Sequence, residues 1–370
     1  MKVAIVHDWL VNYGGAERVV EAMLSVYPDA DIFTLIYDEK KMGHIFPKEK
    51  IHTSFVQKIP CATKLYTKFL TLMPRAFESF DLTGYDLVLC SSSSCAKGVI
   101  TAPNTVHIAY IHSPMRYAWD QFFSYRKSSG RLTRFFMDRW IPQIRLWDYV
   151  SSQRIDALIA NSSYISRRIK KCWNRESEVI FPPVNTERLS PNGKAAEDFF
   201  VVFSRFVPYK RIDLAIKACA EAGERLVVIG SGSQEKELKE LAGKNENIVF
   251  TGRISDDEVK GYLRRCKALI FCAEEDFGII PVEAQACGRP VIAFGSGGAT
   301  ETVVDGVTGV FFEKQTADSL LSAMQRFDDL YKNGAFDAEK IVLHAQKFST
   351  ERFCTELKEK IEKTIMEMKK

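Results

Sequence analysis

Short apolar runs alternate with segments of helical spacing along almost the whole of this 370-residue chain. At its start, "KVAIVHD" (2–8) predicts a buried strand, and after two glycines "AERVVEAMLSVY" (16–27) has its apolar residues at the spacing of a helix. Strands that are joined by crossover helices run parallel, with the helices covering the faces of their sheet. The alternation therefore predicts an α/β fold with doubly wound sheets.

The alternation forms two series, separated by a stretch rich in proline, asparagine and glycine, "FPPVNTERLSPNGKAAED" (181–198). The other predicted strands are 86–91, 106–112, 157–161 and 178–183 in the first series, and 199–204, 224–230, 247–252, 267–273 and 290–295 in the second. We expect two Rossmann-like domains, residues 1–185 and 186–348. Because ligands of such sheets bind beyond the carboxyl ends of the strands, two facing domains would form one central cleft.

The bulk composition, 46% hydrophobic and 26% charged, is that of an ordinary globular protein. No segment approaches the roughly 18 uninterrupted apolar residues of a membrane-spanning helix. The N-terminal apolar run, which His7 and Asp8 interrupt, is too short for a signal peptide, so we expect a cytoplasmic protein. The nine cysteines include no CxxC pair, which favours reduced, mostly buried thiols over a zinc site.

Positive charge is concentrated in the N-terminal half of the chain. Residues 1–185 carry 24 Lys and Arg against 17 Asp and Glu, a net charge of +7, whereas the remainder carries 27 against 30, a net charge of −3. A surplus of this size suits an anionic membrane surface or a phosphate-bearing ligand. It argues against a nucleic-acid partner, which usually requires a concentrated basic face.

Two glycine turns follow predicted strands. In "HDWLVNYGGAER" (7–18), Gly14 and Gly15 allow a ligand to approach the N-terminus of the next helix, where free N–H groups favour an anion. Glycines in such positions are more often simply turn residues. The second turn, "VIGSGSQEKEL" (228–238), has Glu235 where the dinucleotide-binding fingerprint requires its third glycine, which argues against a nicotinamide enzyme.

A basic loop follows the first strand of the second series. In "FSRFVPYKRID" (203–213), Arg205, Lys210 and Arg211 lie within seven residues of one another. Arginine can bind two phosphate oxygens at once and lysine supplies a point charge, a combination that suits a diphosphate. A solvated basic loop is an equally good interpretation of this segment alone.

Two glutamates frame the start of a predicted helix in "EEDFGIIPVEAQACGRPVIAF" (274–294). Glu275 lies in the loop after a strand, and Glu283 lies about one turn into the helix that begins near Ile279. Between them, Phe277 and Gly278 carry backbone N–H groups at the helix N-terminus. Acids in such places often serve only as helix caps. However, carboxylates also accept hydrogen bonds from pairs of hydroxyls, and N–H groups and cations suit phosphates, so the combination predicts a nucleotide-sugar site.

The 274–294 segment resembles the E-x7-E signature of the retaining glycosyltransferases of family 4, which have the GT-B fold. "SRFVPYK", "GGAER" and "YIHSPMRYAWD" (110–120) resemble other parts of that family, so the similarity covers nearly the whole chain. The "HDWL…GGAERV" opening and "HSPMRYAWD" further resemble bacterial mannosyltransferases that build O-antigen and capsule-type polysaccharides from GDP-mannose.

The resemblance implies catalytic roles for four residues. Glu275 should contact the hydroxyls of the transferred sugar, and His112, at the end of a strand, should lie near that sugar. Arg205 and Lys210 should hold the diphosphate and stabilise its charge as it leaves, which a metal does in other transferases. No metal and no cofactor beyond the nucleotide-sugar donor are therefore expected.

The resemblance also implies donor-binding residues. Glu283 should bind the ribose hydroxyls, and the backbone around Phe277, Gly278 and Ile279 should hold sugar or phosphate. Gly14 and Gly15 should approach the phosphate or the acceptor. In "TGRISDDEV" (251–259), Arg253 and Ile254 lie where the family holds the base. The final stretch, residues 349–370, should form a helix that packs back on the first domain.

The acceptor and a membrane partner rest on weaker signals. "RLTRFFMDRWIPQIRLWDYV" (131–150), and more loosely residues 64–80, interleave basic residues with aromatic ones. Such segments can lie in a membrane interface or can pack on the domain core. In the first case the acceptor is a lipid-linked saccharide at the inner face of the cell membrane.

Three alternatives remain open at the level of sequence. A transferase of the same fold can use a UDP-sugar, and a nucleotide-sugar 2-epimerase has the same architecture but needs no acceptor. A non-catalytic sugar-nucleotide-binding subunit could retain Glu283 and the basic loop. The presence of both His112 and Glu275 argues against this last alternative.

Overall fold

The computed structural model describes residues 1–191, 193 and 195–368. Residues 192 and 194 of the predicted linker and the last two residues of the predicted C-terminal helix lie outside this description. The chain divides into two compact units. The N-terminal unit contains Met1–Pro183 together with Phe353–Lys370, and the C-terminal unit contains Val184–Arg352.

The N-terminal unit is built on a seven-stranded parallel sheet of order β3-β2-β1-β4-β5-β6-β7. Its strands are β1 Val3–His7, β2 Asp31–Thr34, β3 Ile51–Thr53, β4 Leu87–Ser92, β5 Val106–Ile111, β6 Ala157–Ala160 and β7 Glu178–Val179. Every residue of β1, β4, β5 and β6 is buried. Helices cover both faces of such a sheet, which explains why these strands are continuous apolar runs in the sequence.

The helices of this part of the chain are α1 Gly15–Val26, α2 Glu39–Met42, α3 Ala62–Leu65, α4 Met73–Glu78, α5 Phe122–Ser128, α6 Arg131–Ser152 and α7 Ser163–Trp173. The sequence allows either Ser162 or Ser163 as the cap of α7, and in the structure Ser162 is the cap, accepting a hydrogen bond from the Ile165 N–H at 3.1 Å. Residues 64–80, in contrast, form short pieces, among them α4 and a 3-10 turn at Tyr66–Phe69. They do not form one amphipathic helix.

The C-terminal unit contains a six-stranded parallel sheet of order β10-β9-β8-β11-β12-β13. Its strands are β8 Phe200–Phe203, β9 Leu226–Ile229, β10 Ile248–Gly252, β11 Ala268–Phe271, β12 Val291–Phe294 and β13 Gly309–Phe312. Its helices are α8 Ile212–Ala222, α9 Glu235–Ala242, α10 Asp256–Arg265, α11 Ile279–Ala286, α12 Ala299–Thr302, α13 Ala317–Lys332 and α14 Ala338–Gln346.

The last helix, α15 (Thr350–Met368), packs on the N-terminal unit. Its buried residues Phe353, Leu357 and Ile361 recur every four positions and join the core around β1, β4 and β5. The Phe353 ring meets the Tyr110 ring edge-on at 5.6 Å, and Lys360 forms an ion pair with Glu178 at 2.9 Å. Spacing by four places these side chains on one helix face, which explains the attachment.

Each sheet has one point at which the strand order reverses. In the N-terminal unit this point lies between β1 and β4, and in the C-terminal unit between β8 and β11. Helices leave such a point in opposite directions and open a crevice at the carboxyl ends of the two strands, where doubly wound sheets bind ligands. The residues that follow β1, β4, β8 and β11 are therefore the first candidates for function.

Among the residues that the structure describes, no helix combines the length and the apolar character needed to cross a membrane. Within the same residues, no cluster of three or more His, Cys, Asp or Glu side chains is arranged to hold a metal ion.

Candidate active site

In the C-terminal unit, the reversal point brings together the loops that follow β8 and β11. The Lys210 ammonium donates a hydrogen bond to Glu275 Oε1 across this point, although the two residues are 65 positions apart in the chain. The Lys210 side chain is 10% exposed and that of Glu275 is 22% exposed, so the ion pair is largely shielded from water. An ammonium has three donor hydrogens and this contact uses one, so Lys210 can also hold a phosphate oxygen.

The three cations of the basic loop have different environments. Arg211 donates to both carboxylate oxygens of Asp213, at 3.0 and 3.1 Å, and this hydrogen bond raises the pKa of its guanidinium. The Arg205 side chain is exposed and hydrogen-bonds to none of the described residues. Arg211 is therefore engaged by Asp213 and by the Gln315 carbonyl, to which it donates at 3.3 Å, whereas Arg205 and Lys210 retain free donor hydrogens.

The glycine turn after β9 supports the basic loop. Phe206, which is buried in the centre of that loop, donates from its N–H to Ser231 O at 2.9 Å, and its carbonyl accepts from Gln234 N–H at 3.1 Å. The "GSGS" turn thus fixes the backbone between Arg205 and Lys210. Its glycines serve the packing of this loop, in keeping with the incomplete dinucleotide fingerprint.

The second signature segment turns sharply from β11 into α11. Gly278 has φ +89°, in the left-handed region that only glycine adopts at little cost, and it is the N-cap of α11 without a side-chain cap bond. Phe277 is buried, so the segment is anchored immediately before this turn. Ile279 begins the helix, and Glu283 lies in its second turn and is buried. Backbone N–H groups at the start of this helix favour an anion.

The loop after β12, "GSGGA" (295–299), is a further part of this site that was not predicted from the sequence, although its glycines after a strand are a local signal. Gly298 donates from its N–H to Glu275 O at 2.8 Å. A Cβ at Gly298 would lie 2.2 Å from Phe277 Cα, so only glycine allows this close approach. The loop thus holds the backbone of Glu275 in place.

The two residues predicted to contact the base also lie at the carboxyl ends of the strands of this sheet. Arg253 and Ile254 follow β10, the edge strand two positions from β8. Arg253 is exposed, whereas Ile254 is partly buried against the core. Neither makes a contact with Lys210 or Glu275 that the structure describes.

In the N-terminal unit, the predicted residues also lie around the reversal point. Gly14 is the extended N-cap residue of α1, and Gly15 is the first residue of that helix. His112 directly follows β5, and its N–H donates to Ser92 O at 2.9 Å. Its carbonyl accepts from Asn161 Nδ2 at 3.1 Å. These bonds fix the His112 backbone at the carboxyl end of the sheet.

A buried polar chain links His112 to the first strand. His112 Nε2 lies 2.8 Å from Ser91 Oγ, and His7 Nδ1 lies 3.1 Å from the same oxygen. His7 Nε2 in turn lies 3.6 Å from Glu17 Oε1. Burial, followed by the nearby charge of His7, lowers the pKa of His112 to about 3, so this ring is neutral near pH 7.

Asp8, the residue after β1, organises the loop after β4. Its two carboxylate oxygens accept from the backbone N–H groups of Ser93, Ser94, Cys95 and Ala96 at 2.6 to 2.9 Å. The side chain is 1% exposed. Asp8 therefore acts as an internal anion that gathers the serine loop across the reversal point. This role of Asp8 was not predicted from the sequence, where the residue only interrupts an apolar run.

Each of the two units matches a glycosyltransferase family model. The model "Glycosyltransferase Family 4" matches residues 13–188, and the model "Glycosyl transferases group 1" matches residues 185–334. The chain belongs to the group 1 and family 4 glycosyltransferases. The predicted fold, two doubly wound Rossmann-like domains of the GT-B type, is confirmed.

Individual relatives match this glycosyltransferase at modest sequence identity and over only part of their length. An uncharacterized glycosyltransferase of Methanocaldococcus jannaschii is 34% identical over 45% of this chain and 47% of its own length. The GDP-mannose-dependent alpha-(1-6)-phosphatidylinositol monomannoside mannosyltransferase of Mycolicibacterium smegmatis is 32% identical over 40% of this chain and 46% of its own. The chain thus matches about half the length of these curated relatives. A crystal structure of Anabaena HepE in complex with UDP has a TM-score of 0.71 at 16% identity, covering 98% of this chain and all of that one.

Proposed function

We propose that this glycosyltransferase moves a hexose from a nucleotide sugar to a hydroxyl of a saccharide acceptor, with retention of the anomeric configuration. The observation that carries the proposal is the Lys210–Glu275 pair at the reversal point of the C-terminal sheet. A carboxylate for sugar hydroxyls and a cation for phosphate lie in contact there, as the two neighbouring parts of a nucleotide sugar require.

The remaining residues of the C-terminal unit extend this assignment. Arg205 and Lys210 bind the diphosphate, and the N–H groups at the start of α11 add donors to the same anion. Glu283, buried one turn further along α11, holds the ribose hydroxyls. Arg253 and Ile254, at the end of β10, contact the base.

We propose GDP-mannose as the donor and bacterial surface polysaccharide synthesis as the context. The donor assignment is supported by the similarity to the GDP-mannose-dependent mannosyltransferase of Mycolicibacterium smegmatis and by the motif resemblance described above. The UDP complex of Anabaena HepE supports the nucleotide-sugar class in general. UDP-sugars are therefore the main competing donors.

Thermal shift measurements with GDP-mannose, UDP-glucose and UDP-N-acetylglucosamine test the donor. A bound donor at a concentration of 100 Kd stabilises the folded state by about 2.7 kcal/mol, and we expect this shift with GDP-mannose. Lys210→Ala should lose it, whereas Lys217→Ala, an exposed lysine on α8, should keep it. A shift with UDP-sugars alone would overturn the donor assignment.

The reaction itself is tested by incubating the labelled donor with oligosaccharide acceptors in excess EDTA. We expect transfer without added metal, because Arg205 and Lys210 supply the positive charge, and an α-linked product from an α-linked donor. Conversion of the nucleotide sugar to its epimer without an acceptor would indicate an epimerase. Activity that disappears on chelation and returns with magnesium would contradict the proposed role of the cations.

We further propose that α6 places the enzyme on an anionic membrane, where a lipid-linked saccharide would be its acceptor. Residues spaced along one face of this helix are apolar and largely exposed: Leu132 (72%), Phe135 (66%), Phe136 (51%) and Leu146 (65%). Arg131 and Arg139 are exposed on the same helix. Apolar side chains with flanking arginines are typical of interfacial helices.

Flotation with vesicles of phosphatidylglycerol and phosphatidylcholine tests this surface. We expect binding that decreases with salt and that Leu146→Ser weakens. Leu343→Ser is the matched control, because Leu343 on α14 is also 65% exposed. Equal flotation of the two variants, or no salt-sensitive binding, would contradict a membrane role for α6.

A further inference from the structure

Four buried or partly buried polar side chains form a chain at the carboxyl ends of three adjacent strands: Glu17, His7, Ser91 and His112. We propose that Glu17, His7 and Ser91 are positioning residues that hold His112 as the neutral tautomer with its proton on Nδ1. His112 then acts as a hydrogen-bond donor to a substrate oxygen and not as a general base. The functional part of this inference rests on the proposed transferase activity.

The first step concerns the proton of His7. Its Nδ1 lies 3.1 Å from Ser91 O and also 3.1 Å from Ser91 Oγ. A carbonyl oxygen can only accept, so the contact to Ser91 O requires a proton on His7 Nδ1, which the equidistant hydroxyl oxygen can share. His7 and Ser91 are direct partners in the register of β1 and β4, which fixes this contact within the sheet.

The orientation of the Ser91 hydroxyl then determines which nitrogen of His112 carries the proton. Because His7 Nδ1 donates toward Ser91, the Ser91 hydroxyl accepts on that side and its own hydrogen is free to point elsewhere. His112 Nε2 lies 2.8 Å away and accepts it. A hydroxyl is both donor and acceptor, so Ser91 can serve both rings at once. Ser91 is fully buried, and water does not compete for these bonds.

Glu17 lies beside the other nitrogen of the His7 ring. Its carboxylate lies 3.6 Å from His7 Nε2, and the two side chains are 9% and 2% exposed. Burial lowers the pKa of His7, but the nearby Glu17 carboxylate, the charge of Asp8 and the Ser91 carbonyl together raise it above its ordinary value. Acceptors therefore face both ring nitrogens, Ser91 O at Nδ1 and the Glu17 carboxylate at Nε2, so the site suits a His7 ring that donates from Nδ1.

The consequence is a defined hydrogen-bonding role for His112. With Nε2 occupied as an acceptor, the single proton of the neutral ring lies on Nδ1. Nδ1 forms no hydrogen bond with any residue among 1–191, 193 and 195–368. A ligand oxygen, from a sugar hydroxyl or a phosphate, is the partner that fits a neutral N–H donor.

Two segments at the start of the chain have side chains in this polar chain but none in the proposed donor site. His7 belongs to "HDWL" and Glu17 to "GGAER". A Cβ on Gly14 would lie 3.3 Å from Glu17 Oε2, so the glycine also leaves room for this carboxylate. The opening of the chain would then act on the reaction through His112.

Nitrogen NMR of protein labelled with 15N-histidine tests the tautomer directly, because protonated and bare ring nitrogens have well-separated shifts. The six histidines are assigned by comparison with single variants such as His112→Gln. At pH 7.5 we expect His112 to have a protonated Nδ1 and a bare Nε2. Ser91→Ala should abolish this preference and lower kcat by about tenfold or more, with a smaller change in the KM for the donor.

Two further comparisons separate positioning from a merely structural role. His7→Asn places an amide nitrogen near the position of Nδ1 and should keep both the tautomer and most of kcat, whereas His7→Gln should lose both. Ser92→Ala is the matched control, since Ser92 is the next residue of β4, is equally buried and points to the other face of the sheet.

A protonated Nε2 on His112 in the unmodified protein would overturn the proposal, as would an unchanged tautomer in both Ser91→Ala and His7→Gln. If Ser91→Ala does not fold, the spectrum of the unmodified protein and the two His7 variants still decide. If no donor supports transfer, the proposed function fails while the tautomer assignment still stands or falls on the spectra.

Discussion

Replacing Glu275 by alanine is the change that most directly tests the proposed donor site. Its carboxylate contacts the Lys210 ammonium where, in our proposal, the bond between sugar and phosphate breaks. Positive charge grows on the sugar in the transition state, and a fixed carboxylate in a shielded site stabilises it. Loss of one such preorganised group lowers turnover roughly a hundredfold, which corresponds to about 2.7 kcal/mol.

The cost in stability follows from the same contact. Glu275→Ala leaves the Lys210 ammonium, which is 10% exposed, without its partner. An unpaired and mostly buried charge costs on the order of 1–3 kcal/mol, and the partial exposure of the pair places this case toward the lower end. A simple capping role predicts a loss of about 1 kcal/mol with normal turnover. The geometry already disfavours that role, because Gly278 and not Glu275 is the N-cap of α11.

Initial rates with donor and acceptor, measured beside melting curves, distinguish the two. We expect Glu275→Ala to retain a cooperative fold with turnover reduced roughly a hundredfold, and Lys210→Ala to behave similarly. Glu274→Ala is the matched control, because this neighbouring glutamate is exposed and bonds to Ser296 Oγ at 3.0 Å. If Glu275→Ala melts early but its folded fraction turns over normally, the carboxylate is only structural and our reasoning about this segment is wrong.

Three further predictions concern other parts of the molecule. Glu283→Ala should raise the KM for the donor with little change in kcat, because ribose contacts are equally present in the ground and transition states; a fall in kcat alone would contradict this role. Lys97→Met should lower the free energy of unfolding in urea by about 3–5 kcal/mol, since it leaves a buried Asp148 carboxylate without its cation at 2.8 Å, whereas the exposed Lys48→Met should cost less than about 1 kcal/mol. Burial, then the charges of Arg154 and Lys97, lowers the pKa of His107 to about 3, so His107 takes up a proton on unfolding between about pH 6.5 and 3. The free energy of unfolding should therefore decrease as the pH is lowered from about 6.5 to 3. In urea titrations at several pH values, His107→Gln should make this decrease smaller.

Long, fully buried strands were predictable because burial on both faces makes them continuous apolar runs. β1, β4 and β5 are of this type. β2 and β3 were not found in the sequence, since "DIFT" and "IHT" are short and mixed in character. β13, "GVFF", was overlooked although it is apolar. The strand predicted over 178–183 ends at Val179; Ile180 N–H still donates to Ala160 O at 3.0 Å, but Pro182 and Pro183 beyond it cannot donate to a sheet.

The chemical types of the site residues were predictable from the sequence, but their pairing was not. Loops after strands, cations and the Glu275–Glu283 spacing are local signals. The Lys210–Glu275 contact depends on β8 lying next to β11, and the His7–Ser91 contact depends on β1 lying next to β4. Both are consequences of strand order, which no local pattern specifies. The tautomer of His112 follows only once that order is known.

The two units use their reversal points in electrostatically opposite ways. In the C-terminal unit, an exposed Arg205 and a paired Lys210 leave positive charge available to an anion. In the N-terminal unit, Asp8 already satisfies the serine loop from within, and His112 is a neutral ring whose low pKa keeps it uncharged. Cations suited to a diphosphate therefore lie in the C-terminal unit, whereas the described polar groups of the N-terminal reversal point are hydrogen-bonding groups without free positive charge. In our proposal, the charges that develop on the sugar and on the leaving phosphate are therefore both met within the C-terminal unit, by Glu275 and by Lys210 with Arg205.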